Sequence, residues 1–80
     1  MSSLTDQQRR CITYIERVEG EFSPTAAEIG MHMGPDVVKT RAAWGKYGSA
    51  IANPLVEAGF LSRHGRGYFT TERGRREAAL

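Results

Sequence analysis

The sequence predicts a mainly α-helical domain with a small β-hairpin: a three-helix core, the hairpin, and a short C-terminal helix. Three observations predict it. Two segments open on the same capping signal, Thr5 with Gln8 and Thr25 with Glu28, in which a hydroxyl and a side-chain carbonyl satisfy each other's free amides. A longer segment after Asp36 repeats apolar residues at helical spacing. Two short runs, "FLSR" and "GYFTT", are rich in aromatic and β-branched residues and flank a bend, "HGR".

The first helix is expected at about 5–19. Asp6 puts negative charge in the first turn, where the helix dipole favours it. Cys11, Ile15 and Val18 share one face with Ile12 beside them. Gly20 follows as a residue that tolerates the left-handed conformation of many helix ends. The second helix starts at Thr25, because Pro24 disfavours helical geometry at Ser23. Ile29 and Met33 are four residues apart and should point inward. Gly30 costs about 1 kcal/mol against Ala in mid-helix, which close approach of another helix would justify. Gly34 and Pro35 stop the helix.

The third helix is expected from about 36 to 52, with Asp36 as N-cap. Val37, Trp44, Gly48, Ile51 and Leu55 cluster on one side, widened by Val38, Ala52 and Val56. The other side carries Lys39, Ala43, Lys46, Ala50 and Asn53, flanked by Thr40 and Tyr47. Gly45 and Gly48 weaken the helix. A kink or break is expected at Pro54, with Asn53 and Pro54 able to start a fresh turn to Ala58. Gly59 ends the helical part. Phe60, Leu61, Tyr68 and Phe69 are expected to anchor the hairpin to the helices, since two strands alone are marginal in water. Thr71 caps the last helix with Glu72 in its first turn, and Ala78, Ala79 and Leu80 form its apolar face.

The chain has 80 residues, so a single domain, 1–80, is the expected organisation. No apolar run approaches the roughly 20 residues that a membrane span requires. The opening "MSSLTDQQRR" lacks the apolar core of a signal peptide. Cys11 is the one cysteine, so a reducing, cytoplasmic setting is expected. There is no phosphate loop of Walker type, no HExxH and no Cys/His spacing for zinc. His32 lies between two methionines with no cluster around it. No catalysis, metal, cofactor or small-molecule ligand is therefore expected.

Net charge is +2, unevenly spread. Residues 1–34 hold three Lys/Arg against five Asp/Glu, a net of −2, and residues 35–80 hold eight against four, a net of +4. That asymmetry points to a polyanionic partner. Helices two and three, joined by the short turn Met33-Gly34-Pro35, outline a helix-turn-helix. The second helix of such a unit presents its outer face to the major groove. Lys39 and Lys46 suit phosphate or guanine, Thr40, Tyr47 and Asn53 suit mixed contacts, and Ala43 permits close approach or contact with a thymine methyl.

These segments resemble winged helix-turn-helix domains. "FSPTAAEIGMHMG" is similar to the second helix of LexA-type repressors, with its P-T-x-x-E-I pattern. "GYFTTERGRREA" is similar to the wing-to-helix segment of MarR-like regulators. "RAAWGKYGSAIANPLVEAGFLSRHGRGYFTTERGR" looks like the winged-helix module at the N-terminus of Mrr-type restriction endonucleases. The stretch from Gly34 to Gly59 is several residues longer than usual in these families. The resemblance implies a wing at Arg63, His64, Gly65 and Arg66, lying along the backbone or in the minor groove, where negative potential favours arginine. It also implies double-stranded DNA as partner, bound sequence-specifically or structure-specifically by a small prokaryotic or phage transcriptional regulator. A homodimer would match a symmetric operator. The alternatives are a winged-helix module for protein or RNA, or a DNA-reading accessory of a restriction or phage-defence system. Arg73, Arg75 and Arg76 are expected to be helix surface paired with Glu72 and Glu77.

Overall fold

The computed structural model describes residues 3–34 and 40–80. Four helices surround a two-stranded antiparallel hairpin: α1 (Asp6–Val18), α2 (Ala26–Met33), α3 (Arg41–Glu57), β1 (Leu61–His64), β2 (Gly67–Thr70) and α4 (Glu72–Ala78). Both expected capping boxes form. The Thr5 hydroxyl accepts from Gln8 N–H at 3.1 Å while Gln8 Oε1 accepts from Thr5 N–H at 3.0 Å. Thr25 and Glu28 do the same at the start of α2. Such a cap is worth about 1 kcal/mol. Gly20 does not take the left-handed conformation. Instead Glu21 and Phe22 N–H both donate to Val18 O and close the end of α1 as a turn.

α3 departs from expectation in two ways. Its described start is capped by Thr40, whose hydroxyl accepts from Ala43 N–H. The expected cap, Asp36, lies outside the described residues, as do Val37, Val38 and Lys39. The helix also runs unbroken through Gly45, Gly48 and Pro54 to Glu57. Proline removes one amide and so leaves the Ala50 carbonyl without its usual donor. Ala50 and Pro54 are both exposed, so water can serve that carbonyl and the interruption is cheap. Asn53 and Pro54 therefore start no new turn.

Gly30 and Gly48 explain the packing of α2 on α3. A Cβ on Gly30 would overlap the Trp44 carbonyl, and one on Gly48 would overlap that of Ala26. The two backbones touch because neither residue has a side chain there. Gly45 has open space at the same position and plays no such part.

The core lies between α1, α2, α3 and the hairpin. Cys11, Ile12 and Ile15 come from α1, Ile29 and Met33 from α2, and Ile51, Ala52 and Leu55 from α3. Phe60, Leu61 and Tyr68 close it from the hairpin side. Each fully buried Ile or Leu contributes about 1.5–3 kcal/mol. Phe60 precedes β1 rather than belonging to it. Phe69 is half-buried on the other face of the hairpin, against His64. In α4, Ala78 packs on the core, but Ala79 and Leu80 are exposed, so the expected apolar face is one residue wide.

The hairpin pairs Leu61 with Thr70 and His64 with Gly67, leaving Gly65 and Arg66 as a two-residue turn. Gly65 has φ +61° and Arg66 a negative φ, the combination of a II′ turn, whose twist suits a hairpin. The sheet has a neighbour that the sequence reading missed. Thr25 bridges Gly67, and Tyr68 N–H donates to Pro24 O at 3.0 Å. The segment entering α2 thus lies beside β2 through a single bridge, outside the two-stranded sheet. No described helix is long and apolar enough to cross a membrane.

Candidate nucleic-acid interface

The exposed face of α3 is a groove lined by Ala42, Gly45, Lys46, Ser49 and Asn53, with Ala26 of α2 along its edge. A second groove, sharing Ala26, runs between the start of α2 and the hairpin and is lined by Thr25, Ala27, Arg63 and Arg66. The two grooves adjoin and together form one face. Among the described residues no carboxylate lines either of them. Lys46 and Arg66 make no ion pair among the described residues.

Tyr68 joins the two halves of this face. Its ring is fully buried, and its hydroxyl donates to Asn53 Oδ1 at 2.8 Å. The Arg63 guanidinium lies over the same ring, 5.4 Å from its centroid, an arrangement stabilised by the ring quadrupole. Arg63 Nε also donates to Gly65 O across the turn. The α3 face and the hairpin tip are therefore held in register through Asn53, Tyr68 and Arg63. Gly67 lets the hairpin sit this close, because a Cβ there would meet Ser23 Cβ at 2.5 Å.

The expected site residues divide. Lys46, Asn53, Arg63 and Arg66 share the face. Asn53 has its side-chain oxygen committed to Tyr68, so it approaches a ligand mainly through its NH₂ group. Thr40 is exposed but its hydroxyl caps α3. Ala43 and Tyr47 lie about a third of a turn round the helix from the Ala42–Lys46–Ser49 stripe. The Tyr47 ring packs on Gly34, and its hydroxyl accepts from Gln7 Nε2 at 3.2 Å. Tyr47 therefore ties α1 to α3. His64 is also apart: it bonds Ser62 Oγ at 3.0 Å and packs edge-on against Phe69. Alternation along β1 puts Ser62 and His64 on the face opposite Arg63. Lys39 lies outside the described residues.

Sequence reasoning missed Ala42, Gly45 and Ser49 on α3, and Thr25, Ala26 and Ala27 on α2. The signal was available in Gly30 and Gly48. Read together as one helix crossing, they fix which side of α3 meets α2, and so bring Ala26 alongside the open face.

The arginines of α4 are all engaged. Arg73 lies over the Phe60 ring at 4.8 Å. Arg75 donates to Thr70 Oγ1 at 2.9 Å and pairs with Glu16 at 3.9 Å. Arg76 pairs with Glu72 at 3.4 Å. Only the last matches the expected pairing with Glu72 and Glu77. Thr70 also donates from its backbone and hydroxyl to Glu19, at 2.9 Å each, so this set staples the hairpin to the end of α1. Cys11 is buried, which pushes its thiol pKa up to about 12. The thiolate needed for nucleophilic chemistry is thereby suppressed.

No family model, curated protein or solved structure matches this chain.

Proposed function

We propose that this chain is a winged helix-turn-helix protein that binds double-stranded DNA, acting as a small transcriptional regulator. α3 would enter the major groove with its Ala42–Lys46–Ser49 stripe, and the hairpin would be the wing. The order of elements supports this reading, including the segment that leads into α2 and bridges to β2. One observation carries it: Lys46, Arg63 and Arg66 line adjoining grooves that share Ala26 and that, among the described residues, hold no carboxylate. Small residues at Ala42, Gly45 and Ser49 leave room for close approach, and Ser49 can bond base edges or phosphate.

A polarisation titration with a labelled mixed-sequence duplex tests it. Binding is expected to weaken with salt, with a slope of about −3 in log K against log salt if the three cations each neutralise a phosphate. Absence of duplex binding at low ionic strength would end this reading. Binding of RNA hairpins in preference to duplex DNA would replace it.

A further inference from the structure

A second basic groove, of about 310 Å³, lies where the outer face of α1 meets the end of α2. It is lined by Arg9, Arg10, Thr13, Tyr14, Arg17 and His32. On α2, His32 is turned about 140° from Ala27 at 100° per residue, so this groove is separate from the face described above. The N-terminal part of the chain, net negative as a whole, has sorted its charge. Asp6 pairs with Arg9 at 3.5 Å, and Glu16 faces α4 through Arg75. Glu28 is occupied in the cap of α2. Arg10 and Arg17 make no ion pair among the described residues. Among the described residues no carboxylate lines the groove.

Tyr14 and His32 stack face to face across the helix junction, with centroids 4.0 Å apart and an interplanar angle of 13°. The Arg17 guanidinium lies 5.8 Å from the Tyr14 ring centroid. The stack holds an imidazole beside two uncompensated guanidinium groups. Arg9 Nε is buried with no hydrogen-bond partner among the described residues. Arg10 and Arg17 are seven residues apart, two turns on one helix face, with Thr13 between them.

We propose that this groove binds a phosphate monoester dianion, with Arg10 and Arg17 supplying the charge, Thr13 a hydroxyl, and His32 a further donor. A carboxylate offers one charge and two oxygens. A phosphate monoester offers close to two charges and three strong acceptors, which suits two guanidinium forks and a hydroxyl. Burial and the fields of Arg17 and Arg10 lower the His32 pKa. The other titratable group against His32 is Tyr14, whose pKa is raised by burial and by Glu28. A bound dianion would cancel the arginine field and raise the His32 pKa. The site does not depend on the duplex reading. The phosphate could come from a free nucleotide or from the 5′ end of a DNA strand.

NMR titration of the whole chain tests it, with a nucleoside monophosphate as probe and His64 as the internal reference histidine. Saturable shifts are expected at Arg10, Thr13, Arg17 and His32, with a higher His32 pKa and no movement of the His64 resonances. Arg10→Gln and Arg17→Gln are exposed substitutions that should leave the spectrum folded and weaken binding about tenfold or more each. Lys46→Gln and Arg66→Gln should not weaken it. Tighter binding of a 5′-phosphorylated duplex than of its 5′-hydroxyl twin, lost in Arg10→Gln, would assign the DNA end as source; stronger binding of the nucleotide would assign the nucleotide. Shifts spread over all arginines, equal binding by the Arg10→Gln/Arg17→Gln double variant, or tighter binding of a polyglutamate peptide at the groove would overturn the proposal.

Discussion

The hairpin tip and α4 both carry arginines, are adjacent in sequence and lie at the surface, yet their arginines stand in different surroundings. In α4 two guanidinium groups pair with carboxylates, Arg75 with Glu16 and Arg76 with Glu72, while Arg73 lies over the Phe60 ring. At the tip and across the groove from it, Arg66 and Lys46 have no ion-pair partner among the described residues. Arg63 is placed by a neutral ring and a backbone carbonyl, which leave its charge uncompensated. Charge density along the chain does not separate the two regions. What separates them is the carboxylates that stand beside two of the three cations in α4 and, among the described residues, beside none at the tip.

The sharpest way to break this comparison is to disturb the platform that both regions stand on. Gly48→Ala places a methyl against the Ala26 carbonyl, and the cost is expected to be about 3 kcal/mol, because backbone must move rather than a side chain. Gly45→Ala, three residues away in open space, should stabilise by up to about 1 kcal/mol through the helix and the unfolded chain. Urea unfolding of the two variants reads both values. Equal effects would mean that the α2–α3 crossing is not set by glycine.

That pair also shows how far the sequence could be read. Caps were legible because Thr5, Gln8, Thr25, Glu28 and Thr71 act within four residues of themselves. The hairpin was legible from Gly65 and the flanking aromatic residues. Helical spacing put Gly48 and not Gly45 on the inward side, but only the crossing partner shows that the missing Cβ is required there. Pro54 was expected to break α3, but local propensity yields where the orphaned carbonyl faces water. The contact at Pro24 and Thr25 is a single bridge with one extra hydrogen bond, too short to leave a periodic trace. On α3 the structure puts Lys46 in the groove, but Tyr47, expected beside it, is claimed by a Gly34 contact thirteen residues upstream.

The next test addresses binding. Lys46→Gln and Arg66→Gln should each weaken duplex binding several-fold at moderate salt and flatten the salt slope by about one unit. Arg73→Gln should leave both unchanged. If Arg73→Gln lowers the slope as much as Arg66→Gln does, the interface is not confined to α3 and the hairpin, and α4 belongs to it.

A smaller effect is expected for Arg75→Gln. It removes a 2.9 Å donor to the buried Thr70 hydroxyl, which in turn holds Glu19. Loss of about 1 kcal/mol is expected from one such hydrogen bond, with unchanged duplex affinity. A variant that binds more weakly but unfolds like the wild type would show that this arginine serves a ligand.

The smallest effect belongs to Arg76→Gln. Its pair with Glu72 spans one helical turn, and both side chains are largely exposed, at 73% and 83%. Solvent screens such a pair, and ordering two long side chains offsets most of the attraction, so the change should stay below about 0.5 kcal/mol. The charge lost is the same as in Arg66→Gln. The two variants therefore have equal net charge and differ only in where the cation stood. If net charge drives binding, their affinities fall together. If the face formed by α3 and the hairpin drives it, Arg66→Gln falls and Arg76→Gln does not, and a titration of the two side by side at one salt concentration decides between them.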